Sequence, residues 1–308
     1  MVAIYIYIPY SNSKRVGDET VMIAHVAEAG EARGRVVLRF CANSPSKAAI
    51  GAAFTVAEAF QSEVESLYIE DRELLDMARY SFATEISFTG RRRALSQRAL
   101  RGDFLSVFSV ARKHIKSVAE QCSVPLQERY VRDEPIQALA AACAQKGPWN
   151  VVALAEAFSA RSGTALQELF EMVTDTTGVI LAGPCARQRI AGPIVIVVED
   201  IERFPGMLRA GERLSALKGN PITLLPVAET MNKLMQLSGE IRLALAHRTD
   251  VSIASAPPTS GEAAVVAEEI RRLKSGFVIA KFGGHAVPAQ SSLRPLAAVL
   301  ECPLFLVR

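Results

Sequence analysis

The residues of this chain best suited to chemistry stand near its end, in KFGGHAVPAQSSLRP, residues 281–295. Two adjacent glycines, Gly283 and Gly284, leave backbone N–H groups clear of Cβ interference, which a loop needs if it is to hold a phosphate or another anion. Lys281 and His285 add positive charge. Ser291 and Ser292 open an apolar run, where a hydroxyl and a helix N-terminus can share an anion. A second candidate is Glu199-Asp200, which closes the run IVIVV. A carboxylate at the carboxyl end of a parallel strand can accept hydrogen bonds from a ribose or an adenine amino group. Each pattern also has a plainer reading. The glycines suit a strand-to-helix turn, Ser292 caps a helix bearing Leu293, Leu296, Ala297 and Leu300, and the acid pair is a solvated turn. Pro288 takes one N–H donor out of the loop.

No other grouping assembles a reactive centre. The five cysteines (Cys41, Cys122, Cys143, Cys185, Cys302) have no CxxC spacing, which suits reduced thiols, and the four histidines (His25, His114, His247, His285) are far apart. A metal site is not expected. Cys41, at the end of one apolar run, reads as inert and partly buried, and no nucleophile, base and orienting residue come together. An enzyme is not expected. With 308 residues, half of them hydrophobic, the chain has apolar material for one large domain or two smaller ones. Its formal charge of +3 does not by itself imply a nucleic-acid partner. No apolar run is long enough to span a membrane, and MVAIYIYIPYSNS alternates like a strand without the basic start of a signal peptide, so a cytoplasmic location is expected.

The elements that must position these residues come in two copies. Residues 36–71 and 194–229 both run strand, turn, helix, strand, and the second strand starts 28 residues after the first in each, Val36 to Val64 and Ile194 to Ile222. The ends match too: NVVALAEAF, loop, TALQELFEMV, GVILAG against GFVIAKFGG, loop, SLRPLAAVL, CPLFLVR. The helices carry apolar faces at helical spacing, Ile50, Phe54, Ala57 and Phe60 in one copy and Met207, Ala210, Leu214 and Leu217 in the other. Ser44-Pro45 opens the first of these and Gly219-Asn220 closes the second. Further helices carry Ile136, Leu139 and Cys143, then Val266, Ile270 and Leu273, the latter behind a capping box of Thr259 and Glu262. Apolar strands joined by helical crossovers call for parallel sheets covered on both faces. The expected fold class is α/β, with two tandem Rossmann-like domains at 35–187 and 188–308, each holding a mainly parallel sheet of about five strands. Residues 1–34 form an N-terminal extension beginning with a strand.

This order of elements, the SxxSK-like turn after the first strand, the acidic strand ending YIED and the terminal ECPLFLVR resemble the universal stress protein superfamily, here as a tandem pair over about 35–308. The resemblance implies a fold like that of the adenine nucleotide alpha hydrolase group, with last strands that pair between domains. It also implies ATP binding in some members, through an aspartate at the end of strand one and Gly-x2-Gly-x9-Gly-Ser/Thr after strand four. The first domain has Cys41-Ala42 at the former position. At the latter it has EAFSARSGTAL, with Gly163-Thr164 but no earlier glycines and with Glu156 nearby. In the second, Glu199 or Asp200 stands for the aspartate and Ser291-Ser292 for the end of the motif, while Gly283 and Gly284 are adjacent rather than three apart. ATP is therefore expected in the second domain only, if anywhere.

Between Gly90 and Ser117 the chain is basic, with Arg91, Arg92, Arg93, Arg98 and Arg101 ahead of Arg112, Lys113 and Lys116, interleaved with Leu95, Leu100, Phe104 and Phe108. A basic amphipathic helix or helix pair is expected, acting as a crossover with its arginines in water or as a surface for a protein or membrane. The reading that results is a non-catalytic stress-response or regulatory protein with a largely degenerate nucleotide site around Glu199, Asp200, Gly283, Gly284, His285, Ser291 and Ser292. The alternatives are an ATP-binding sensor or slow ATPase using the second domain, and an adaptor acting through 86–118. The two domains are expected to pair as a pseudo-dimer, and a homodimer stays open.

Overall fold

A computed structural model describes residues 34–41, 46–86, 90–145, 149–157, 162–182, 191–246, 248–255, 262–289, 296 and 301–308. Apart from Gly34, the expected N-terminal extension lies outside the described residues, as do Ser44, Pro45, the expected domain junction at 187–188, Cys185, His25, His247, Thr259, Ser291 and Ser292. Residues 32–308 form one compact unit.

The chain runs β1 (Arg35–Phe40), α1 (Lys47–Ala59), β2 (Glu63–Asp71), α2 (Arg72–Met77), β3 (Thr84–Ile86), β4 (Arg92–Ala94), α3 (Gln97–Cys122), β5 (Leu126–Asp133), α4 (Pro135–Ala144), β6 (Asn150–Ala157), α5 (Ser162–Met172) and β7 (Thr176–Ala182). It continues with β8 (Ile194–Val198), α6 (Phe204–Lys218), β9 (Ile222–Pro226), α7 (Met231–Leu245), β10 (Val251–Ile253), α8 (Ala263–Arg272), β11 (Phe277–Lys281) and β12 (Leu304–Val307).

A sheet of about five strands was expected in each domain, with the last strands pairing between them; the structure shows no division into two discrete sheets, and ten strands form one sheet in the order β10-β9-β8-β11-β12-β7-β6-β1-β2-β5. Read outward from the middle, each half has the same order of elements. Every neighbouring pair is parallel except β7 and β12, which run antiparallel with Gly178 opposite Val307 and Leu181 opposite Leu304. Gly178 is required there: a Cβ would meet the Leu306 carbonyl oxygen at 2.4 Å and the Phe305 ring at 2.6 Å. The last strands, short and apolar, thereby lose the exposed edge that would otherwise invite pairing with another chain. The 28-residue period is the sheet register itself, because Val36 pairs with Val64 and Ile194 with Ile222.

Alternate strand side chains feed two cores, as buried parallel strands require. One core joins Val36, Leu38, Phe40, Ile194 and Ile196 to Ile50 and Phe54 of α1, Phe104 and Ile115 of α3, Met207 and Leu214 of α6, and Ile241 of α7. The other joins Val37, Val152, Val195 and Val278 to Leu139 and Cys143 of α4, Leu166 and Leu169 of α5, and Val266 and Ile270 of α8. Helices thus cover both faces. Ser46 caps α1 by accepting from Ala49 N, Gly219 ends α6 at φ +66°, and the N-cap of α8 is Glu262, without a side-chain bond.

The basic excursion differs from expectation in its first part. Arg92 and Arg93 lie in a two-stranded ribbon, β3 with β4, and Arg91 just precedes it; the helix begins only at Gln97. The strands are three residues each and too short to show alternation. From Gln97 on, the amphipathic reading matches: Phe104, Ala111, Ile115 and Ala119 are buried, while Arg112 reaches across to Glu128 at 2.8 and 2.9 Å.

Candidate functional site

At the carboxyl ends of β8 and β11, the loop after β11 turns back on itself. Gly283 has φ +79°, a left-handed conformation that favours glycine, and its N–H donates to Val287 O at 2.8 Å. The turn aims the next N–H groups at β8. They are met there by Glu199. His285 N donates to Glu199 Oε2 at 2.8 Å and Ala286 N donates to Oε1 at 3.0 Å, so one carboxylate is held by two consecutive backbone amides. Successive N–H groups of this kind make an anion-binding concavity. Gly284 is the residue that lets the acid in: a Cβ there would stand 2.0 Å from Glu199 Oε2 and 2.6 Å from its Cδ.

Asp200 faces a different set of donors. Its Oδ1 accepts from Arg203 N at 2.9 Å, fixing the turn into α6, and its Oδ2 accepts from Lys281 Nζ at 3.0 Å. Burial works against ionisation of Asp200, but the Arg203 amide and the Lys281 ammonium outweigh it and hold its carboxyl below the usual aspartate range. The His285 ring lies with Nε2 3.9 Å from Glu229 Oε1, just ahead of α7. Glu199, Asp200, Lys281, Gly283, Gly284 and His285 thus lie at one end of the sheet, where Glu199 is taken up by the His285 and Ala286 amides and Asp200 by Lys281.

Beside this loop, a cavity of about 330 Å3 is lined by Gln167, Phe170, Glu171, Arg203, Phe282, Ala289 and Arg308. Its wall is the stacked pair Phe170 and Phe282, with centroids 4.2 Å apart. Arg308 donates to the carbonyl oxygens of Phe170, in the last turn of α5, and of Val173, just beyond it, the latter at 3.0 Å. None of these residues was singled out from the sequence. The contact between Phe170 and Phe282 spans 112 positions and has no local signature.

The corresponding place in the other half of the sheet is different. There β1 ends at the half-buried Cys41, with no carboxylate, and Gly163 lies within α5. Of the arginines expected to form a partner surface, Arg93 pairs with Glu85 at 2.6 Å and Asp103 at 3.6 Å, and Arg101 stands 3.9 Å from the buried Glu70. Glu70 also binds Arg132 at 2.6 Å. Arg92 and Arg98 are exposed. Among the described residues no cluster of His, Cys, Asp and Glu is placed to hold a metal, and no helix is long and apolar enough to cross a membrane.

The doubly covered, mainly parallel sheet defines a Rossmann-like α/β fold, and the solved structures it resembles are of that kind. A universal stress protein from Archaeoglobus fulgidus DSM 4304 superimposes with a TM-score of 0.55 at 10% identity, over 90% of this chain and 96% of the other. A protein of unknown function from Pseudomonas aeruginosa PAO1 gives 0.55 at 11% identity, over 90% and 92%. A candidate universal stress protein from Pseudomonas aeruginosa UCBPP-PA14 gives 0.55 at 11%, over 90% and 93%. At such identities the likeness is one of fold. No protein-family model matches the sequence, and neither does any curated protein.

Proposed function

We propose that this chain is a non-catalytic regulatory protein of universal-stress-protein type, built as a tandem pseudo-dimer, in which the anion receptor formed by the loop after β11 is filled by the chain's own Glu199. The observation that carries this reading is the carboxylate of Glu199 on the amides of His285 and Ala286, with Gly284 making room for it. A phosphate entering that loop would have to displace a carboxylate already bonded to the same donors, and would meet its negative charge at close range. Asp200, the other acid at the strand end, is engaged by Lys281.

The test is titration calorimetry on the full chain with ATP and Mg²⁺, with inorganic phosphate as a second probe. The wild type is expected to give no binding heat and to retain no nucleotide through purification. Tight ATP binding by the wild type would reject the proposal. A second reading rests on the same contact: the loop is a formed anion receptor, so a triphosphate that competes for its amides would make the chain a nucleotide sensor. Glu199→Ser separates the two. Under the first reading it alone creates phosphate binding, and under the second it strengthens binding that the wild type already has.

A further inference from the structure

We draw no further inference here: the strongest candidate, the exposed patch of Phe82 and Ile86 at the β3–β4 ribbon, carries none, because Arg79 and Arg93, near it in the chain, are paired with Asp76, Glu85 and Asp103 and nothing in the structure shows what covers it.

Discussion

The two halves of the sheet share strand order and opening register but place their charges differently. In the first half, the amino ends of the strands hold a buried ion cluster: Arg35 pairs with Glu65, donates from Nε to Asn150 Oδ1 at 3.1 Å, and Glu65 also meets Arg129 at 2.9 Å. At the matched positions of the second half stand Pro193, Thr223 and Gly276, with no charge at all. At the carboxyl ends the contrast reverses, because Glu199 fills the loop after β11 while β1 ends on Cys41. A repeated fold therefore carries over register and core, and leaves each end of the strands free to acquire its own polar chemistry.

The sharpest way to test this contrast is to remove one acid from the first cluster. Glu65→Ala leaves the Arg35 guanidinium buried without its carboxylate and is expected to cost about 3–5 kcal/mol in urea unfolding. The matched Thr223→Ala, which removes only a bond with Ser252, should cost about 1 kcal/mol or less. If the two substitutions cost the same, the cluster is not what distinguishes the halves.

In the second half, Gly284→Ala forces a methyl group into the Glu199 carboxylate and should cost about 1–3 kcal/mol. Adding Glu199→Ala removes the clash, so the double variant is expected to be more stable than the sum of the single effects, read from a double-mutant cycle. Strict additivity would show that the two residues do not touch in solution.

The smallest effect concerns acid. The Asp200 carboxyl is held below its ordinary range, so its contribution is present above the unfolded value of about 3.9 and is lost as pH falls through the lower folded value. Because Asp200 is about a third exposed, that contribution is under about 1 kcal/mol. Asp200→Asn should flatten the stability profile on the acid side of that range, and an unchanged profile would remove Asp200 from the account.

The opening register was legible because the same strand, helix, strand spacing occurs twice in the chain. The 28-residue step from Val36 to Val64, and from Ile194 to Ile222, is the pairing found in the sheet. In the later pairs the apolar runs located the strands but not their register: Val151 faces Gly178, and Leu304 faces Val278. The ribbon went unseen for another reason. Thr84–Ile86 and Arg92–Ala94 are three residues each, and arginines beside a long amphipathic helix read as its first turns. At the site, each participant was visible as a residue type, an acid at one strand end and paired glycines at another. Their mutual contact was not visible, since Glu199 and His285 lie 86 positions apart and nothing periodic links them.

The antiparallel seam between β7 and β12 also has a consequence in time. Leu304 follows Ala182 by 122 residues, so β7 is made long before the strand that covers its edge. At ribosomal speeds of about 5–20 residues per second, that edge waits on the order of ten seconds during synthesis. In that interval the apolar GVILA run stands as an open template, and a chaperone or a neighbouring nascent chain has its best opportunity to reach it.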